Sequence, residues 1–419
     1  MSRTVDADFL ALPLSSLSDA AISTAKSLGA SHVDVRIERT RTGVLSLRDA
    51  KPETQSDETI LGIGVRVIVN GAWGFASSPD LSADTAKHLA NTAVAMARTS
   101  KPLSTEEVSL VYEPAYSNKT WVSSYEIDPF SVSDSERKDR LASLSSKLLA
   151  SSSVNHTSAM TMYVKEQKHY ADSNGTSTTQ QRVRVQTQIE AISIGEHGFE
   201  SMRTLAQPAG YGWEWMGNSI WNWDKEIDEL PTLLAEKVKA PSVEPGRYDL
   251  LIHPSNLWLT IHESIGHATE LDRAIGYEAN YAGTSFATPE KLGNLKYGSK
   301  LMNVTGDRVT EHGLSTVGWD DEGVAAQRWD IVKDGVLVGY QLDRRIAARV
   351  NQERSNGCAF ADSPAHVPIQ RMPNVSLQPN PTGPSLDELI SSVEDGIYIL
   401  GDKSWSIDMQ RYNFQFTGQ

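Results

Sequence analysis

The stretch Leu257–Glu278, LWLTIHESIGHATELDRAIGYE, contains two histidines and a glutamate among apolar residues. Apolar side chains recur every four positions from Leu257 to Ile265, a spacing that places them on one face of a helix. The pattern predicts a helix over residues 255–274, and Ser255 has the chemistry of an N-cap. The stretch therefore predicts a helix that carries polar, metal-binding residue types on an otherwise apolar segment.

The spacing of the two histidines decides whether they can share a metal ion. His262 and His267 lie five positions apart, whereas the common H-E-x-x-H zinc pattern uses four. On a regular α-helix a spacing of five separates two side chains by roughly 140°. Both imidazoles reach one metal only if the helix ends or distorts between them, and Gly266 would permit this. Otherwise both histidines are ordinary structural residues and Glu263 is solvated or paired.

A metal at this place would have familiar chemistry. Two neutral imidazoles and a third protein ligand hold Zn²⁺ and leave one position for water. Glu263 follows its histidine as the glutamate does in H-E-x-x-H, so we expect it to act as the general base.

Length and composition exclude several classes of protein. A chain of 419 residues predicts two domains, and its net charge of −14 argues against nucleic acid as the main partner. Apolar runs long enough for a membrane span or a signal peptide are missing from the sequence, which favours a cytoplasmic protein without membrane partners. The single cysteine, Cys358, fits this compartment and is expected to be a small buried residue.

The first half of the chain alternates helix and strand patterns. Helices are predicted over residues 14–29, 81–98 and 134–152. Asn-Gly pairs at 70–71 and 174–175 lie between alternating strands and predict hairpin turns.

The middle of the chain contains a tryptophan cluster and a candidate boundary. Four tryptophans fall within residues 208–223 and predict a packed aromatic corner or subunit interface, with a substrate-facing wall as the alternative. A domain boundary is predicted near residue 240. Beyond it, an Asp-Gly pair at 334–335 predicts another hairpin.

Several motifs after residue 240 resemble those of one known family. His262–His267, HESIGH, resembles the H-E-x-x-x-H signature of the TldD/PmbA metalloproteases, in particular the metal-bearing TldD type. The further matching elements follow in the family's order: the acidic Glu270 and Asp272, the D-D-E-G segment 320–323, the hairpin 331–349, the R-M-x-N element 371–374, and the strand pattern 405–416.

The resemblance implies a two-domain α+β fold. An α/β N-terminal domain would cover residues 1–240, and a β-rich C-terminal domain carrying the metal helix would cover 241–419. It also implies a homodimer, or a heterodimer with a PmbA-type subunit, that holds peptide as an added β-strand. Carried over residue by residue, the resemblance implies that His262 and His267 are ligands of one zinc ion per chain and that Glu263 is the catalytic base.

The chain departs from the family pattern at the third ligand. The family uses a cysteine in a later Gly-rich segment, beyond the part matched here, and Cys358 stands upstream of that place. Glu270 and Asp272 are therefore candidate substitutes.

Three functions follow from this reasoning. The leading one is a zinc-dependent metallopeptidase that cleaves unfolded or small peptides through a metal-activated water. The alternatives are a catalytically silent or partner-dependent subunit, and an amide hydrolase for one modified-peptide or biosynthetic substrate.

Overall fold

The structure is a computed structural model that describes residues 4–195 and 198–418. The helices within these residues are α1 Ala7–Leu10, α2 Leu14–Ser27, α3 Ala83–Ser100, α4 Asp134–Leu149, α5 Trp223–Lys239, α6 Pro254–Ile261, α7 Leu271–Ala274, α8 Arg344–Arg349 and α9 Leu386–Ser391. The strands are β1 His32–Arg48, β2 Lys51–Val69, β3 Ala72–Ser78, β4 Lys119–Val122, β5 His156–Asp172, β6 Ser177–Gly195, β7 Gly198–Arg203, β8 Asp249–Ile252, β9 Val304–Asp307, β10 Arg328–Lys333, β11 Val336–Leu337, β12 Ala359–Phe360, β13 Ile369–Gln370, β14 Asn374–Leu377, β15 Gly396–Ile399, β16 Ser404–Ile407 and β17 Phe414–Thr417.

One large sheet organises the first half of the chain. Its strands lie in the order β3-β2-β1-β5-β6-β4, with β7 paired to the far end of β6. All pairings are antiparallel except that of β4 with β6. The predicted hairpin turn at 70–71 is confirmed, because Asn70 and Gly71 have φ angles of +50° and +72°.

The two faces of this sheet have opposite chemistry because side chains alternate along each strand. One face is apolar: at one end of the sheet it packs against α2 and α3, and at the other end it packs against α4 and α5. On β1 this face carries Val33, Val35 and Ile37, all fully buried. The helices therefore cover the apolar face, and the core of this half lies between them and the sheet.

The opposite face is charged and buried beneath the second half of the chain. Arg66 on β2 donates to Asp34 at 2.8 Å and to Glu322 at 3.0 Å. Lys168 on β5 donates to Asp321 at 2.9 Å. Asp321 and Glu322 of the Asp-Asp-Glu segment are therefore buried and paired with cations of the sheet.

The tryptophan cluster forms an aromatic corner, as the first of the two interpretations predicted. Trp213, Trp215 and Trp223 are buried in the core with α4 and α5. Trp215 and Trp223 meet edge to face with ring centroids 6.4 Å apart. Trp223 also donates its indole N–H to the Trp215 carbonyl at 2.7 Å.

The second half of the chain combines small sheets with long connections. Its sheets are β11-β10-β9-β14, the parallel pair β8-β15, and the pairs β12-β13 and β16-β17. The predicted hairpin turn at 334–335 is confirmed by positive φ angles at both residues. The domain division near residue 240 stays a prediction. None of the helices in the described ranges is both long and apolar enough to cross a bilayer.

Candidate metal centre

The helix that leads into the site begins two residues earlier than an N-cap at Ser255 predicts: α6 begins at Pro254, and its N-cap is His253. The imidazole Nδ1 of His253 accepts a hydrogen bond from the Ser255 backbone N–H at 3.2 Å. The prediction of Ser255 as the cap was therefore wrong. Proline is favoured at the first helical position because it has no N–H to leave unpaired.

The helix widens where the histidines lie. After α6 the chain forms a π-helical turn over His262–Gly266 and a 3₁₀ turn over His267–Thr269. The His267 backbone N–H donates to the His262 carbonyl, the five-residue hydrogen bond of a π-helix. This distortion brings residues five apart onto one face, and the two imidazole centroids lie 4.4 Å apart.

Gly266 allows the turn to pack closely against Met372, which lies between β13 and β14. A Cβ at Gly266 would lie 2.6 Å from the Met372 sulfur and 2.7 Å from its terminal methyl carbon. Any larger residue at this position would have to displace Met372. The backbone of Gly266 has φ −54° and ψ −64°, a right-handed conformation that any residue adopts, so it is the contact with Met372 that opposes a larger side chain here.

His267 is held in one orientation by a buried carboxylate. Its Nδ1 contacts Glu270 Oε2 at 2.7 Å, and Arg273 donates to the same oxygen through Nε at 3.0 Å and Nη2 at 2.8 Å. Burial opposes ionisation of Glu270, but its contacts with His267 and Arg273 keep its pKa below the ordinary value. The carboxylate fixes the proton on Nδ1 and leaves Nε2 with a free lone pair, the arrangement typical of a metal-binding histidine.

His262 and Glu263 complete the group. Burial and the nearby His267 lower the pKa of His262 to about 4, so this imidazole is neutral at pH 7, as a metal ligand must be. Glu263 is 8% exposed. The donor atoms of His262, Glu263 and His267 all lie within 4.8 Å of one another. Two imidazoles beside a carboxylate fit a zinc ion.

The suggested substitutes for the third ligand lie elsewhere. Glu270 is on the Nδ1 side of His267, where it supports the ring and faces away from the lone pair of Nε2. Asp272 Oδ1 instead accepts from the Gln370 side chain at 2.8 Å, and burial together with Glu270 raises the pKa of Asp272 to about 8. Neither belongs to the group of donors found among the described residues. Cys358 is fully buried, as expected, and is not in the group either.

Sequence reasoning did not identify Arg273 as part of the site. This guanidinium pairs with Glu270 and also contacts Glu278, with Arg273 Nη2 and Glu278 Oε2 2.6 Å apart. The three-residue spacing between Glu270 and Arg273 was a usable signal, because residues three apart on a helix face each other.

Comparisons with known proteins agree with this arrangement. Residues 245–419 match the family model described as the PmbA/TldA metallopeptidase C-terminal domain, and residues 33–97 match domain 1 of the same metallopeptidases. A Methanocaldococcus jannaschii protein named as a metalloprotease is 26% identical over 394 residues, which cover 92% of this chain and 81% of that protein. A Saccharolobus solfataricus protein named a zinc metalloprotease TldD homolog is 23% identical over 394 residues, covering 90% and 79%.

The fold has a close counterpart among solved structures. A crystal structure from Bacteroides thetaiotaomicron, described as a candidate modulator of DNA gyrase, superposes with a TM-score of 0.73 at 16% identity. The superposition covers 96% of this chain and 85% of that one. At this level of identity the likeness concerns the fold alone. Together, the two domain models and the metalloprotease relatives show that the chain belongs to the PmbA/TldD metallopeptidase family.

Proposed function

We propose that this chain is a zinc-dependent peptidase that hydrolyses small or unfolded peptides. The observation that carries the proposal is the group of three donor side chains within 4.8 Å, built on a π-helical turn in a member of a metallopeptidase family. His262 and His267 would hold the zinc ion, and Glu263 would act as the base. A bound zinc ion supplies Lewis acidity, which polarises a peptide carbonyl and makes a coordinated water more acidic.

The protein residues have separate roles in this proposal. Glu270 orients His267 through Nδ1, and burial keeps His262 neutral. Glu263 takes a proton from the attacking water while the water oxygen forms a bond to the carbonyl carbon. Glu263 then gives that proton to the amide nitrogen as the C–N bond breaks, which releases an amine and a carboxylic acid.

We also propose that the chain works as a dimer, with itself or with a PmbA-type subunit. Family membership supports this proposal. A second subunit would close the peptide-binding space around the donor group. Light scattering of the purified chain, alone and with a PmbA-type protein, would distinguish the homodimer, the heterodimer and a monomer.

Metal content per chain tests the proposed site. We expect elemental mass spectrometry to find about one zinc per chain in the wild-type protein and in Glu263→Gln, and little in His262→Ala, because two imidazoles hold the ion. Cleavage of an unstructured peptide should disappear in Glu263→Gln although zinc remains.

The matched control is His366→Ala. His366 pairs with Asp362 on the surface, and its side chain is 66% exposed. This variant should keep both zinc and activity. If the wild-type chain takes up no zinc even after reconstitution, the proposed site is wrong for this chain. A chain that holds zinc and cleaves as well in Glu263→Gln as in the wild type would contradict the role of the base.

A further inference from the structure

Arg411 is a buried arginine on the turn between β16 and β17. Its residue exposure is only 8%, although arginine is among the residues least often buried. The turn is firmly built, because the Asp408 side chain accepts from the backbone N–H groups of Gln410, Tyr412 and Asn413 at 2.9–3.1 Å. The position of Arg411 is therefore fixed by the turn that carries it.

The backbone of Arg411 is strained. Its φ angle is +61°, in the left-handed region that a bulky side chain rarely adopts. A residue in this region is less stable than one with right-handed backbone. Glycine or asparagine would occupy this position at lower cost. Strain of this kind is found preferentially where a side chain has a functional task.

The guanidinium of Arg411 has too few partners for a buried cation. Nη1 donates to the Ala282 carbonyl at 3.2 Å. In the described parts of the chain, Nε has no hydrogen-bond partner and no carboxylate lies within 4 Å of the guanidinium. A buried cation without a counter-ion in contact is unfavourable unless an anion binds to it. Burial and the positive charge of Arg273 lower the pKa of Arg411, and the charges of Glu263, Glu270 and Glu278, all beyond contact distance, offset this only in part.

Arg411 lies beside the metal centre. The Ala282 carbonyl that it contacts also accepts from Arg273 Nη1 at 2.5 Å. Arg273 in turn contacts the carboxylate that orients His267. Arg411 thus neighbours Arg273, which contacts the Glu270 carboxylate that orients His267. The charge of Arg411 is also close enough to lower the pKa of His262.

We propose that the Arg411 guanidinium binds a negatively charged oxygen of the peptide substrate at the metal centre. The inference rests on the proposed function and names a substrate-contacting residue within it. Guanidinium presents planar, paired donors that match an oxyanion, and its burial strengthens each hydrogen bond. The oxygen has two possible sources with the same chemistry. It is either the carbonyl oxygen of the scissile bond, which gains charge as water adds, or the terminal carboxylate of the peptide.

The test replaces Arg411 with asparagine, which tolerates positive φ and removes the cation. We expect Arg411→Asn to keep its zinc content and to have a melting temperature equal to or above the wild-type value, because the variant loses an unpaired buried charge. Binding is measured on zinc-loaded proteins that also carry Glu263→Gln, so no turnover is required. The probes are acetyl-Ala-Ala-Ala with a free carboxylate, its amide, and a phosphonate analogue with a tetrahedral anion at the scissile position.

Each result bears on the proposal. If the scissile oxygen is bound, Arg411→Asn weakens the phosphonate by about a hundredfold or more and leaves the acid and the amide unchanged. If the terminal carboxylate is bound, Arg411→Asn removes a preference for the acid over the amide of about ten- to a hundredfold. Unchanged binding of every probe overturns the proposal.

Two further variants serve as controls for this test. Arg349→Asn, at an exposed arginine paired with Glu106, should bind every probe like the wild type. Arg411→Lys keeps the charge but loses the paired donors, so intermediate binding is expected. If Arg411→Asn unfolds while Arg411→Lys folds and binds all probes normally, Arg411 has a structural role and the proposal fails. Because these are binding measurements, they stand apart from failure of the proposed peptidase activity, which cleavage by the wild-type chain tests.

Discussion

The contact between Glu270 and His267 makes a quantitative prediction about metal affinity. Glu270→Gln keeps the size of the side chain but removes the charge that fixes the proton on His267 Nδ1 at 2.7 Å. Loss of such a supporting carboxylate weakens metal binding by about 10- to 100-fold. This range equals about 1.4–2.7 kcal/mol of binding free energy. We expect no complete loss of zinc, because both imidazoles remain.

The folding cost of the same substitution should be moderate. Removing one partner of a buried ion pair costs about 3–5 kcal/mol when the other charge is left alone. Arg273 keeps a second carboxylate, Glu278, at 2.6 Å, so the loss for Glu270→Gln should fall below this range.

Competition with a fluorescent zinc chelator would measure the affinity of the wild-type chain and of Glu270→Gln, and thermal melts of the metal-free proteins would measure stability. Glu214→Gln is the matched control, because Glu214 is also buried and accepts from the backbone N–H groups of Ile127 and Gly212 at 2.8 Å. It should lose stability without losing zinc affinity. Equal zinc affinity in the wild type and Glu270→Gln would refute the reasoning that this carboxylate prepares His267 for metal.

Three other predictions concern different parts of the molecule. Burial lowers the pKa of His169 to about 4, so the unfolded chain, with a histidine pKa of about 6.5, takes up this proton first on acidification. The stability that neutral His169 contributes is complete above pH 6.5 and falls by about 3 kcal/mol as the pH drops to 4. Urea unfolding of His169→Gln should therefore show a smaller loss of stability over this range. The same pH dependence in His169→Gln as in the wild type would contradict the prediction. Gly266→Val should crowd Met372, lower the free energy of unfolding by about 1–3 kcal/mol and weaken zinc binding. Adding Met372→Ala should restore the zinc affinity, and chelator competition on the double variant would measure this. Trp223→Ala should lose about 3–5 kcal/mol of unfolding free energy, measured in denaturant, while zinc per folded chain stays constant; loss of zinc from the folded variant would contradict the separation of core and site.

Features fixed by local chemistry could be predicted from the sequence. The pairs at 70–71 and 334–335 formed hairpin turns in which both residues have positive φ, and at 174–175 the glycine alone does. The N-cap of the metal helix could also have been predicted correctly. Pro254 favours the first helical position, which makes the residue before it the cap, and this signal outweighs the good capping chemistry of Ser255.

Features that depend on distant contacts could not be predicted. The five-residue spacing showed that a shared metal would require the helix to end or distort, but the sequence did not show that a π-helical turn would place both imidazoles together. The side of His267 that faces Glu270 depends on how the chain bends after the 3₁₀ turn. The role of Arg411 depends on a turn that is remote in sequence and close only in the fold.

The two-faced sheet constrains how the strand lengths of this protein can change. Lys168 and Arg182 point to the charged face, whereas Val185, three residues after Arg182 on β6, packs with the helices. Inserting one residue into the middle of such a strand would exchange the two sets, driving cations into the apolar core and aliphatic side chains among carboxylates. Inserting two residues would return the charged and the apolar side chains to their own faces. During evolution, insertions into these strands should therefore come in even numbers, and the alternation of charged and apolar residues should be kept. Within each of the two classes, individual side chains can be exchanged widely.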